Sequence, residues 1–492
     1  MTSRITAPPL SEVALLVPEA LVVAAALAIL MIDLWLRPQQ RNVLILVGLA
    51  GVLLAGAVLA VQRDGIAFNG LYVRDALARA AQVLALAVAA LGILIAPEYL
   101  RRAGQERGEY YALVLIAGAG AMLMAGSRDL LMLFLALETL SIPLYVLAAS
   151  GRGRPRSQEA GMKYFLLGAF ASAFFLYGVA LLYGVAGTTR LPEIGRILAG
   201  GAGAPAGAPT AAAAGVGLLV IGLGFKAAVV PFHTWAPDVY EGAPIPAAAF
   251  MSVIAKIGAF AALLRVFPLT LAALADQWTL TLGVLSALTM LVGNLAALAQ
   301  TNYKRMLAYS SIAHTGYLLI GVTIGTQAAV SAVITYLAVY AAMTTGAFAV
   351  GVALERGGGE ADQIEDYTGL AARAPLLAVA TAVFMVSLAG LPPTAGFVAK
   401  LNIFLAAVEA GGRGGLALAL IGVLTSVVSV YYYLRVAYLM WTGAGPVLVH
   451  LHASPLLNAA LLATAVAIVL SGVLPGAVTA FAQQVGALLG GP

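Results

Sequence analysis

Four ionisable side chains stand where water is scarce. Glu138, Lys226, Lys256 and Lys400 each lie inside an apolar run long enough to be buried in a bilayer. A lysine at the centre of a spanning helix costs at least about 3 kcal/mol, so a chain that keeps three of them there is using them. Lysine, unlike arginine, can release its proton when it loses water. The chain has five lysines and 21 arginines, and the arginines fall almost entirely in loops or at helix ends. That division suits proton transfer. A Glu138 that moves nearer to and farther from Lys226 would load and release the lysine's proton by changing its local field. Lys256 reads as a relay, and Lys400 as the terminal site on the exit side. A structural ion pair is the competing reading for Glu138.

His314 lies in YKRMLAYSSIAHTGYLLIG, where Tyr309, Ser310, Ser311, Thr315 and Tyr317 could support a water wire between Lys256 and Lys400. A satisfied core histidine is the competing reading. His233 borders Pro231 and could gate or cap, whereas His450 and His452 read as solvated loop residues. Lys163 and Lys304 sit at span edges, where snorkelling explains them. Asp33, close to Arg37, and Glu98 read as interfacial. The four histidines offer no two-His, one-carboxylate spacing and no bis-histidine haem pair.

Composition fixes what must position these groups. With 492 residues, 62% hydrophobic and 10% charged, and a mean hydropathy of +0.99, most of the chain belongs in lipid. The absence of cysteine excludes thiolate-held metals, iron–sulfur clusters and disulfides on this chain. The net charge of +5 is scattered through short loops, which suits control of topology better than nucleic-acid binding. No basic region followed by a short apolar core and a small-residue cleavage site opens the chain, so a cleaved signal is not expected.

A spanning helix needs roughly 20 predominantly apolar residues. On that rule the expected fold is an all-α polytopic membrane protein with about fourteen spans, at 12–36, 42–62, 78–97, 110–126, 129–150, 162–187, 211–232, 243–267, 279–299, 305–324, 327–354, 376–411, 416–442 and 455–476. The seventh and twelfth are expected to be broken, by Pro231 and by Pro392 and Pro393. Those last two prolines free the carbonyls of Leu388 and Ala389 to hold water beside Lys400. Helix-breaking residues are tolerated at membrane depth only where the freed backbone faces protein or a wet cavity.

The two broken spans lie five apart, and an odd repeat reverses direction. This predicts two inverted five-helix repeats at 110–267 and 279–442, preceded by three helices at 1–109 and followed by a last helix at 455–492. Lysine and arginine placement favours an outer N-terminus and, with an even span number, an outer C-terminus. The stretch 200–214 reads as a flexible loop rather than a nucleotide-binding one. The acidic segment from Glu355 to Asp366 reads as a solvated cytoplasmic link.

Several runs together resemble the antiporter-like proton-channel subunits of respiratory complex I, relatives of the multi-subunit sodium/proton antiporters. They are GFKAAVVPFHTWAPDVYEGAP at 224–244 with AKIG at 255–258, ERGEYYALVL at 106–115, and DLLMLFLALETLSIPLYVL at 129–147. YKRMLAYSSIAHTGY at 303–317 and GLPPTAGFVAK at 390–400 complete the set. The run EAGMKYFLLGAFASAFFLYGVALLYG at 159–184, a lysine at 400 and the lack of a long extension after the last span narrow the likeness to one branch of the family. The resemblance implies broken seventh and twelfth helices, and an ion pair between Glu138 and Lys226. It further implies a central relay at Lys256, a terminal one at Lys400 and a softer role for His314. No cofactor is implied on this chain. FMN, iron–sulfur clusters and quinone would lie with other subunits, and the expected partners are those subunits, homologous antiporter-like chains and the lipid bilayer, not nucleic acid. A separate sodium/proton antiporter subunit is the alternative. A structural scaffold is a third reading, which buried lysines do not favour.

Overall fold

The apolar runs fold as helices that close their backbone hydrogen bonds internally, as lipid demands. A computed structural model describes residues 9–200, 208–443, 449–452 and 454–490. The first third contains α1 (Leu10–Ala14), α2 (Val17–Asp33), α3 (Asn42–Val61), α4 (Ala76–Arg102), α5 (Gly108–Gly126), α6 (Leu130–Ala148) and α7 (Pro155–Ala186). A short β1–β2 hairpin (Gly65–Ala67, Tyr72–Arg74) precedes α4. The middle contains α8 (Leu191–Leu198), α9 (Ala208–Ala227), α10 (Trp235–Gly242), α11 (Ile245–Val266), α12 (Ala275–Leu298), α13 (Tyr303–Ile324) and α14 (Gln327–Val352). Then come α15 (Leu370–Arg373), α16 (Pro375–Ala389), α17 (Ala395–Glu409), α18 (Gly412–Trp441), α19 (Pro455–Val473) and α20 (Gly476–Gly486).

Among the described residues, twelve helices are long and apolar enough to cross a membrane. The expected spans at 12–36 and 376–411 coincide with shorter helices: α2 has 17 residues, and α16 and α17 have 15 each. Of the expected loop at 200–214, residues 201–207 lie outside the described residues, and the remainder from Ala208 opens α9. Helix starts are marked by side-chain caps. Asp75 receives the Ala78 amide at 2.9 Å, Asp129 the Leu131 amide at 2.9 Å and Asn302 the Arg305 amide at 3.0 Å.

Every residue of α11 is buried, and α4, α5, α6, α9, α13 and α14 surround it. Lys256 therefore sits on a helix enclosed on every side by others. Helices approach closely through small residues, as membrane packing favours. A Cβ on Gly293 of α12 would stand 2.5 Å from the Ala313 amide of α13. The outward faces of α7 and α18 are apolar and exposed, with Phe170 at 66% and Val427 at 66%.

The acidic segment is not a solvated link. Leu354–Arg356 and Gly359–Glu360 form an antiparallel hairpin, β3–β4, extended by β5 (Val449–Leu451). Its tip carries Glu360 inward, with 3% of the side chain exposed. There it accepts from Lys304, from Arg154 at 2.5 Å and from the Ile245 amide at 3.3 Å. Lys304 does not snorkel either: its side chain is fully buried and also donates to the Ala243 carbonyl at 2.9 Å. The physical reason is mutual, since two inward cations and a helix N-terminus compensate one inward carboxylate. His452 is not freely solvated either, its Nε2 lying 2.7 Å from a Glu355 oxygen. Asp33 pairs with Arg41, at 3.3 Å, rather than with Arg37.

Burial works against the charge on Glu360, but Lys304 and Arg154 outweigh it and hold the carboxyl down at about 2. A carboxyl held below its ordinary value of about 4.5 stabilises the fold fully above that pH and progressively less as pH falls toward 2. Thermal unfolding of the purified protein should therefore show a falling midpoint between pH 4.5 and 2. A Glu360→Gln variant should lose that part of the slope.

Candidate proton-transfer site

Proline fixes the geometry of the site by what it lacks. In α9 the carbonyl of Ala227 would ordinarily accept from the amide four residues on, which is Pro231 and has no N–H. The chain instead turns away at Ala228, with φ 62°. Pro392 and Pro393 do the same to Leu388 and Ala389, and Gly390 turns at φ 80°. Each break leaves a carbonyl at the negative end of a half-helix, deep in the bundle.

Those carbonyls hold two of the lysines. Lys256 on α11 donates to the Ala227 carbonyl at 3.2 Å and to the Thr315 hydroxyl on α13. Thr315 donates to the same carbonyl at 2.7 Å. Lys400, in the first turns of α17, donates to the Ala389 carbonyl at 2.9 Å and to Ser426 of α18 at 2.8 Å. Both lysines are buried. Neither has a carboxylate partner among the described residues, and each lies over a ring: Tyr340 at 5.7 Å for Lys256 and Tyr317 at 5.2 Å for Lys400. The Ala389 carbonyl, expected from the sequence to be freed by proline, accepts from the lysine itself.

Lys226 occupies a hydroxyl and aromatic nest. Its ammonium donates to Ser141 at 2.8 Å and to Tyr164 at 3.4 Å, and it lies 5.4 Å from the Tyr164 ring and 5.7 Å from the Tyr145 ring. Tyr164 stacks on Trp235 of α10 with ring centroids 4.2 Å apart. Glu138 is half-buried one turn before Ser141 on α6, and its carboxylate accepts from Ser172 of α7. In this conformation the two groups expected to form an ion pair make no direct contact: Lys226 is held by Ser141 and Glu138 by Ser172. The small cavity at this point, lined by Leu137, Ser141, Ser172, Gly222 and Lys226, has about 10 Å³, the lower limit for a single water.

His314 stands on α13 beside Thr315, which meets Lys256, and Tyr317, whose ring faces Lys400, and both its nitrogens are engaged. Nδ1 is 2.6 Å from the Tyr336 hydroxyl and Nε2 is 3.1 Å from the Tyr433 hydroxyl. Tyr433 also bonds Ser310, and Tyr340 donates to Ser311 at 2.9 Å. Tyrosine hydroxyls can donate or accept, so the imidazole can take a proton on one nitrogen and give one up from the other without moving. The same double engagement describes a satisfied core histidine. The Tyr317 hydroxyl receives Asn294 at 3.0 Å, while its ring faces Lys400. Tyr309 stays outside this network, its ring beside Arg305 at 5.9 Å. His233 lies half-buried in the break itself.

Sequence reasoning did not single out the Ala227 carbonyl, Ser141, Tyr164, Tyr336, Tyr433 or Ser426. The carbonyl was within reach, because counting four back from Pro231 finds it. The hydroxyls lie on other helices, and no spacing within the chain pairs them with a lysine. Among the described residues no group of three His, Cys, Asp or Glu side chains could hold a metal ion.

Gly390 tests the lysine cradle. A Cβ there would meet Lys400 Cδ at 2.6 Å, and the left-handed backbone adds roughly 1–2 kcal/mol of strain for any other residue. Gly390→Ala should therefore displace the lysine and reduce the thermal midpoint by a few degrees and, if Lys400 carries protons, lower transport severalfold. Transport rate and thermal unfolding of the same preparation check it.

Comparison with known proteins places these residues in a family context. The profile described as NADH:quinone oxidoreductase/Mrp antiporter, TM, matches residues 127–429. NADH-quinone oxidoreductase subunit N of Rhodospirillum rubrum is 44% identical over 428 residues, 86% of each chain. A chain in the structure of respiratory complex I from Thermus thermophilus with bound aureothin is 39% identical, with a TM-score of 0.79. That match covers 94% of this chain and 98% of that one. A chain of the Mrp complex from Dietzia sp. DQ12-45-1b is 25% identical, with a TM-score of 0.79 over 96% and 97% of the two chains.

Proposed function

We propose, from a chain that belongs to the NADH:quinone oxidoreductase/Mrp antiporter transmembrane family, that it works as the subunit-N-type proton-translocating membrane component of an NADH–quinone oxidoreductase. The observation that carries this reading is the pair of proline-freed carbonyls. Each holds a buried lysine by dipoles alone, and His314 stands on α13 beside Thr315 and Tyr317, which meet the two lysines. An ammonium with no fixed counter-charge suits a proton that must arrive and leave.

In this reading Glu138 modulates Lys226, Lys256 is the central relay, His314 and its tyrosines pass the proton on, and Lys400 is the terminal site. Electron transfer occurs elsewhere, with FMN, iron–sulfur clusters and quinone in partner subunits. The helices at 110–267 and 279–442 form two inverted units. Each unit carries one broken helix with a lysine beside the break, Lys226 near Pro231 and Lys400 near Pro392 and Pro393. The chain is a multi-pass protein of the bacterial inner membrane with both termini on the outer side. Oxidoreductase relatives at 39–44% identity against 25% for the Mrp complex support this over the sodium/proton antiporter reading.

Mild-detergent purification of the tagged chain from its native membrane tests the proposal. Flavin and iron–sulfur absorbance with NADH–quinone activity is the expected result. Colourless co-purification with small hydrophobic partners alone would overturn it in favour of the antiporter.

A further inference from the structure

Away from the lysines, on the opposite face from Glu360, a cavity of about 500 Å³ collects three arginines. It lies between the start of α4, the turn before α6, the short α8 and the end of α11. We propose that this cavity binds a phosphoryl anion. Arg265 is already committed there. It grips Asp75 through two contacts of 2.9 Å each and also donates to the Ala125 carbonyl at 2.9 and 2.7 Å. Arg128 and Arg196 line the same cavity and have no acidic partner among the described residues. Three cations against one carboxylate leave an excess of two positive charges, a match for one phosphate group.

The site is built rather than incidental. The backbone of Arg128 is pinned on both sides: its amide donates to Leu71 at 2.9 Å, and its carbonyl accepts from Leu191 at 2.9 Å. Arg196 is carried by α8, which docks through Gly195 against the Thr270 carbonyl. Burial and the neighbouring Arg265 both act against the charge on Arg128, a repulsion that an incoming anion would relieve. Leu191 and Leu269 share the lining, and the whole arrangement lies at helix ends, the depth of lipid headgroups. An anionic phospholipid headgroup and free phosphate present the same chemistry, and the test separates them.

The experiment compares the purified whole complex carrying the native chain with one carrying Arg128→Gln and Arg196→Gln, neither of which belongs to the proton relay. After delipidation, native complex should gain a few degrees of thermal midpoint from phosphatidylglycerol but not from phosphatidylcholine, and the double variant should not respond. The native complex should also retain about one more anionic phospholipid per copy through purification. If inorganic phosphate alone gives the full native response, the site holds but its ligand is free phosphate. Equal lipid content with equal responses in the two complexes would overturn the proposal. So would loss of neighbouring subunits from the double variant without a change in lipid, which would assign the arginines to a protein partner's acid. NADH oxidation by an artificial acceptor, expected unchanged, shows that the variant is assembled.

Discussion

Lys256→Met should assemble normally yet lose at least about tenfold of coupled quinone reduction, because a positioned proton-transfer group is worth roughly 10²–10⁴ in rate. Methionine fills the volume of a side chain buried on the central helix, and removing a buried charge leaves nothing uncompensated. The dipoles it leaves behind, the Ala227 carbonyl and the Thr315 hydroxyl, still bond each other at 2.7 Å. Lys256→Arg is the sharper variant. It keeps the positive charge but cannot give up a proton. If Lys256 only supplied field, arginine would rescue; as a relay it should fail nearly as badly as methionine. Quinone-reductase rates of both variants, normalised to NADH oxidation by an artificial acceptor, check the prediction.

Glu360→Gln should cost about 3–5 kcal/mol, the range for breaking a buried ion pair from one side. Lys304 has no exposed side-chain surface, and its remaining partner is a single carbonyl. Arg154 loses its carboxylate in the same step and keeps the Tyr99 hydroxyl. Because Glu360 ties the starts of α7, α11 and α13 together, the loss should appear as poor assembly and a midpoint lower by several degrees. The double variant Glu360→Gln with Lys304→Met should recover much of it, since it removes the stranded buried charge. A double variant as unstable as the single one would show that the hairpin, rather than the charge pair, holds this face.

These two sites differ in how far the sequence revealed them. The buried lysines were legible because charge in an apolar run is costly, and the helix breaks because proline removes a donor. Of the lysines' partners Thr315 was named beside His314, whereas Ser141, Tyr164 and Ser426 meet Lys226 and Lys400 only through packing between helices. Tyr309 and Tyr317 stand on one helix, yet Tyr317 turns to Lys400 while Tyr309 faces Arg305. The segment from Glu355 to Asp366 misled for the opposite reason. Its charge density suggests solvation, but the hairpin folds back over helix ends whose buried cations require an acid. Lys304 was misread with it, since a lysine at a span edge has water within reach unless something covers it. Likewise Glu138 and Lys226 suggest a direct pair, but in the structure each is met by a hydroxyl from another helix, Lys226 by Ser141 and Glu138 by Ser172.

The most direct test of the account is proton flux into proteoliposomes containing the whole complex, driven by NADH. The complexes compared would carry Lys226, Lys256 or Lys400 of this chain replaced in turn by methionine. The account predicts that each variant keeps NADH oxidation by an artificial acceptor while losing most of its proton flux. Native proton flux in all three would contradict it, and this chain would then be a scaffold beside a pump located elsewhere.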